Sequence, residues 1–208
     1  MSILSIDIFC RYCLMSIMKD AGIDPRVKAI LESAWHAFAT YGFRKTSMDD
    51  IARGAKMSRA AIYLHYKNKE AIFRSLVEMH YADKIQTLTE ALNADAPVEV
   101  RLGRAIAAQG DEVAALLNSP HGMELLDAGT STAPDIVEAG EAGLQKVYSD
   151  WLRREAEAGR VRLSGDPAAV AATIAAALKG IKMTAPDYDT YTAHAAQLAA
   201  LLAAGLKI

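Results

Sequence analysis

Apolar residues recur along this chain at intervals of three and four. Ile30, Leu31, Ala34 and Phe38 fall on one helical face, as do Met48, Ile51 and Ala52, and then Ile72, Leu76, Met79 and Ile85. Ile136, Leu144, Val147, Trp151 and Leu152 keep a helical register further on. No stretch alternates with period two over the length of a strand, so the pattern predicts an all-α fold.

Capping residues set the expected boundaries. Ser47, with Asp50 three residues on, makes a capping box that starts a helix at Met48 and carries it to Gly54. Ser58 caps a second helix over 59–66, and Asn68 caps a third over 69–94. Pro97 opens a helix to about residue 118, interrupted near Gly110, and Ser119-Pro120-His121-Gly122 reads as a turn. A short helix over 123–129 follows; Thr132-Ala133-Pro134-Asp135 then introduces a long helix to about residue 158, with Gly159 as its stop. Asp166-Pro167 and Pro186-Asp187 start the last two helices, over 168–183 and 188–204.

Three residues separate Gly54 from the Ser58 cap, the spacing of a helix-turn-helix, in which the first helix crosses the DNA backbone and the second lies in the major groove. The run from Arg26 to Ile72 resembles the DNA-binding domain of the TetR/AcrR regulators. The amphipathic first helix is followed in order by Gly42-Phe43, Thr46-Ser47, Ile51-Ala52, Ser58, Ile62-Tyr63, His65-Tyr66 and Lys69-Glu70. Three positions depart from that pattern: Lys56 stands where the family has a turn glycine, and Ala60-Ala61 where it has Gly-Thr. A lysine forced to positive φ carries a penalty of about 1 kcal/mol, which a phosphate contact can offset.

The resemblance implies an N-terminal three-helix DNA-binding domain and a C-terminal helical domain for ligand binding and dimerisation. The expected partners are a second copy of the chain, a pseudo-palindromic operator duplex and a small-molecule effector that releases the DNA. The alternative is a regulator of the same fold that is controlled by a protein partner or acts without ligand. Thr46, Lys56, Ser58, Arg59, Tyr63, His65 and Lys69 are expected at DNA, with Arg59 the base reader because a guanidinium can grip guanine O6 and N7 together. Tyr66 is expected to fill the small core, where the family commonly has Phe.

Charge agrees with this division. The whole chain nets −2, yet residues 25–69 hold nine basic and three acidic residues, a surplus of six positive charges; the remainder therefore nets −8. The domains are expected at 25–70 and 71–208, with 1–24 an extension, Met15 and Met18 being available as internal starts. That extension holds Cys10 and Cys13 in a C-x-x-C spacing, but no second cysteine pair or strand-helix context accompanies it, so neither a redox nor a zinc role is assigned. It is too short and too interrupted by Asp7 and Arg11 to span a bilayer, and a cytoplasmic protein is expected.

In the acidic body, Met79, Tyr81, Met123, Tyr148, Trp151 and Met183 are candidates to line a ligand cavity. The last two helices are apolar on more than one face, so Ile174, Ala177, Ile181, Leu198 and Leu202 are candidates for a four-helix dimer interface. The five histidines are scattered, and no catalytic or metal-binding motif occurs. Neither an enzyme, a cofactor nor a metal is expected.

Overall fold

The computed structural model describes residues 22–110 and 119–206; Cys10 and Cys13 lie outside them. These residues are helical throughout, with turns between, and they group into two compact units. One comprises residues 22–81 and 119–138, the other 82–110 and 139–206.

The first unit begins with α1 (Pro25–Tyr41), α2 (Met48–Gly54) and α3 (Arg59–Tyr63). Asp24 caps α1 by accepting from the Arg26 N–H at 2.8 Å, and Pro25 fills the first turn, where its missing N–H costs nothing. The capping box of α2 forms as expected: Ser47 N–H donates to Asp50 Oδ2 at 3.0 Å, and Asp50 N–H donates to Ser47 Oγ at 3.2 Å. Ser58 Oγ accepts from Ala61 N–H at 3.1 Å to start α3. This helix ends at Tyr63 and not near residue 66, because the Ile62 carbonyl accepts from both His65 and Tyr66 N–H, at 2.9 Å each, and the last turn closes on itself.

Next comes α4 (Lys69–Asn93), capped by Asn68, whose Oδ1 accepts from Ala71 N–H at 2.9 Å. Its residues to Tyr81 belong to the first unit. There Ile72, Phe73 and Leu76 join Ile30, Leu31, Ala34, Phe38, Ile51 and Ile62 in one buried cluster, against which Tyr66 packs as expected. Phe38, Phe43 and Phe73 form an aromatic triangle with centroids 4.8–5.6 Å apart. Leu125 and Ala128 of α6 (Gly122–Thr132) complete the same cluster.

The packing boundary therefore differs from the expected division at residue 70. Residues 71–81 and 119–138 share a core with the helix-turn-helix because their apolar side chains are buried against it. Polar contacts fix the placement of α6: Arg44 N–H donates to Glu124 Oε1 at 2.9 Å, and Ser119 Oγ donates to the Ala39 carbonyl at 3.3 Å. Gly42 has φ 84°, and a Cβ there would collide with the Glu124 carboxylate, so both its backbone and its neighbour require glycine.

The second unit contains α5 (Val98–Ala107), the later part of α7 (Pro134–Glu157), α8 (Pro167–Thr184) and α9 (Tyr188–Gly205). The expected interruption before Gly110 is present, while residues 111–118 lie outside those described. Gly159, at φ 68°, terminates α7, and Asp166 caps α8 by accepting from Ala168 and Ala169 N–H. Leu88, Leu92, Leu102, Ile106, Tyr148, Trp151, Ile174 and Tyr191 are buried in this unit. A buried ion pair, Arg101 with Glu155, is set among them and is joined from the surface by Arg160. Arg101 reaches Glu155 with two hydrogen bonds, at 3.1 and 2.7 Å, and Arg160 approaches the same carboxylate at 2.6 Å.

Candidate nucleic-acid interface

The helix-turn-helix is held rigid by its own backbone. At the C-terminus of α2, Lys56 N–H donates to the Arg53 carbonyl at 3.2 Å and Met57 N–H to the Ala52 carbonyl at 3.0 Å, the paired bonds of a Schellman turn. Lys56 occupies its left-handed position at φ 55°, the site where the family pattern has glycine. It bears the strain expected of it and projects its ammonium into solvent. The turn can approach α1 closely because Gly54 has no side chain; a Cβ there would overlap Ser33 Oγ, which donates to the Ile51 carbonyl at 2.8 Å.

On α3 the buried side is Ile62, and Arg59, Ala60 and Tyr63 face solvent. The Arg59 guanidinium donates to Asp49 of α2 at 3.3 and 3.1 Å and to Tyr63 Oη at 3.2 Å, and it lies 5.5 Å from the Tyr63 ring centroid. Hydrogen bonding to Tyr63 and the Asp49 charge hold the guanidinium pKa above its usual value, so Arg59 is a permanent cation. His65 follows, partly exposed, in the turn after α3. Ser58 is exposed, but its hydroxyl oxygen is engaged as the helix cap.

Two residues expected at DNA are engaged elsewhere. Thr46 is buried, and its hydroxyl contacts the Gly42 carbonyl at 2.7 Å and the Ala37 carbonyl at 3.1 Å; it ties the loop to α1 and offers no donor to DNA. Lys69 Nζ donates to the carbonyls of Phe43, Arg44 and Thr46 at 2.7, 3.0 and 2.9 Å, and it sits 4.9 Å from the Phe43 ring centroid. With all three ammonium protons placed, Lys69 clamps the α1–α2 loop onto the start of α4 and is not free for a phosphate. Sequence reasoning also missed two exposed residues on this face. Leu64 is 84% exposed directly after α3, an apolar residue out of register with Ile62 and Tyr66. Asp49 is an acid that the capping box does not use.

The geometry is that of a helix-turn-helix whose short second helix is exposed and bears a cation. The family model described as bacterial regulatory proteins, tetR family, matches residues 30–76. Over those residues the chain carries a helix-turn-helix domain of the TetR-family type. Among its relatives, the HTH-type transcriptional regulator EthR of Mycolicibacterium smegmatis is 35% identical over 83 residues, covering 38% of each chain. A probable acrEF/envCD operon repressor of Escherichia coli K12 is 40% identical over 47 residues, which are 23% of this chain and 21% of that one. The chain spans less than half the length of the curated relatives it matches. Of solved structures, a SmeT–triclosan complex shares the fold with a TM-score of 0.67 and 21% identity, covering 88% of this chain and 93% of that chain. The names of these relatives are those of HTH-type transcriptional regulators and of an operon repressor.

Of the six cavity candidates, Met79, Tyr81 and Met123 belong to the first unit and Tyr148, Trp151 and Met183 to the second. Met79 packs on the core of the first unit, Met123 and Met183 are 58% and 59% exposed, and only Tyr148 and Trp151 are buried in the second unit. Tyr148 Oη accepts from Gln109 Nε2 at 2.6 Å, and burial pushes its pKa well above the ordinary tyrosine value. Among the dimer candidates, Ile174 is fully buried in its own subunit, a correction that follows from its position on the face of α8 shared with Ala171 and Leu178. Ala177, Ile181, Leu198 and Leu202 are half-buried. The open face of α8 is made instead of Ala169, Ala172, Ala176, Gly180 and Met183, and Leu201 is exposed on α9. Among the described residues no helix is long and apolar enough to cross a membrane, and no group of His, Cys, Asp or Glu is arranged to hold a metal.

Proposed function

We propose that this protein is a homodimeric transcriptional repressor of the cytoplasm that occupies a pseudo-palindromic operator and is released from it by a small molecule. The observation that carries this reading is the α3 surface: Arg59 and Tyr63 are exposed together on a short helix whose start, end and supporting turn are each fixed by hydrogen bonds. Arg59 reads a base edge; Lys56, Tyr63 and His65 position the helix on phosphates. The repressor names of the relatives support the sign of regulation.

Pairing of two copies through α8 and α9 is supported by their open, small-residue faces, which permit close helix approach. Release by a ligand is supported by the fold shared with a regulator solved with triclosan. Control by a protein partner is the second reading, favoured by the tight burial of Tyr148 and Trp151, the aromatics expected to line a cavity.

Selection of bound duplexes from a randomised library tests the reading. An enriched inverted repeat, bound by a dimer, is the expected result; absence of any enriched sequence overturns it. A small molecule that shifts the bound fraction saturably separates ligand release from control by a protein.

A further inference from the structure

We propose that Asp49 is a specificity-determining positioning residue: it holds Arg59 in the pose that reads a base and keeps it from settling on a phosphate. The inference rests on the DNA-reading role of α3 proposed above. Asp49 and Asp50 both occupy the first turn of α2, where the helix dipole favours negative charge, but their partners differ. Asp50 closes the capping box with Ser47 and meets Arg53 at 3.4 Å. Asp49 reaches across to the next helix, with Oδ1 and Oδ2 both within 3.3 Å of one terminal nitrogen of Arg59.

An exposed carboxylate on a surface that meets a polyanion lowers affinity for every duplex, so its place there calls for a compensating effect. The Arg59 pair supplies one. A guanidinium carries five N–H donors, and the contacts to Asp49 and Tyr63 engage only some of them, from its two terminal nitrogens. A phosphate that draws Arg59 away exchanges one anionic partner for another and leaves a bare carboxylate beside the DNA backbone. Guanine O6 and N7 are neutral acceptors that can take the remaining donors while Asp49 stays in place. The carboxylate thus penalises the sequence-independent contact and spares the sequence-dependent one. The pair is exposed and contributes little to folding stability, which separates its role at DNA from a structural one.

The test uses the full chain and two duplexes: one enriched by selection with the native protein, the other its scrambled counterpart. Asp49→Asn should raise affinity for the scrambled duplex about three- to tenfold while changing the selected duplex less, and should steepen the salt dependence of scrambled binding by about one phosphate equivalent. Asp49→Glu, which keeps the charge, should keep the native ratio of the two affinities. In an Arg59→Ala background, Asp49→Asn should leave the ratio unchanged. A ratio unaltered by Asp49→Asn in the native background overturns the inference, as does an equal fall in both Arg59 backgrounds. Failure of the native chain to enrich any sequence overturns the DNA-reading role itself, and this inference with it.

Discussion

At Lys56 the chain tolerates a local penalty. A lysine at φ 55° lies in the left-handed region, where a Cβ is disfavoured, and the Schellman turn around it leaves no freedom to relax. Lys56→Gly should therefore stabilise the first unit by about 1 kcal/mol, read as a higher thermal midpoint, less any entropy that glycine adds to the unfolded chain. If Lys56 also touches a phosphate, the same variant binds DNA more weakly while melting later, and the two measurements move in opposite directions. Lys69 behaves in the contrary way. Its ammonium satisfies three carbonyls of the α1–α2 loop, so Lys69→Ala should lower the thermal midpoint and loosen that loop, with proteolysis between residues 42 and 47 as the readout. An unaltered melt together with a flatter salt dependence would return Lys69 to the phosphates. Thr46 and Lys69 illustrate why such roles are hard to read from sequence. Residue type and spacing place both beside the recognition helix, but their partners are backbone carbonyls up to 26 residues distant, which only the folded loop brings together.

At the scale of elements, what was legible was local. The Ser47 box, the Ser58, Asn68, Asp166 and Asp187 caps and the Gly159 stop are all realised, because each depends on groups within a few residues of one another. The grouping of α6 with the helix-turn-helix was not legible, since it rests on Glu124 meeting the Arg44 N–H across 80 positions of chain. The Arg101–Glu155 pair of the Arg101–Glu155–Arg160 cluster was equally hidden, its partners standing 54 positions apart, whereas Arg160 is only five residues from Glu155. That cluster makes a pH prediction. The Arg160 hydrogen bonds first, and then Arg101, hold the Glu155 carboxyl down at about 2, against an ordinary value near 4.5. A carboxylate with a depressed native pKa contributes stability in full above its unfolded pKa and loses it as the pH falls toward the native one. Acid titration followed by circular dichroism should therefore show the second unit weakening between about pH 5 and pH 2. Glu155→Gln should remove most of that dependence and cost about 3–5 kcal/mol at neutral pH, since it leaves the buried Arg101 charge without its counter-ion. A variant as stable as the native chain at pH 7 would contradict this account.

For the whole molecule, the consequential question is what covers α8 and α9. Ile174 lies behind the open face of α8 in its own core, so a charge there would test folding and not assembly. Ala176 and Leu201 are exposed, and Ala176→Arg or Leu201→Asp should leave the monomer folded while abolishing the dimer in light scattering. A dimer that survives both changes would move the interface elsewhere. On the proposed dimeric reading, assembly matters to DNA binding because two copies of α3 must meet major-groove faces about 34–36 Å, or a multiple of that, apart. A monomeric variant keeps α3 intact, so it should retain binding to a half-site and lose the gain that a second half-site brings. Release by an effector then has a strict thermodynamic signature. α4 is one continuous helix from Lys69 to Asn93 and contributes to both units, so a ligand that shifts it can alter how the two copies of α3 are spaced. If a ligand lowers operator affinity by some factor through such coupling, the operator must lower ligand affinity by the same factor. Titration of the effector into the free dimer and into the dimer–duplex complex measures both. Unequal factors would show that the ligand acts on a species outside this cycle, and a ligand that binds the dimer tightly with no effect on the operator would leave the DNA-bound state controlled by something other than that site.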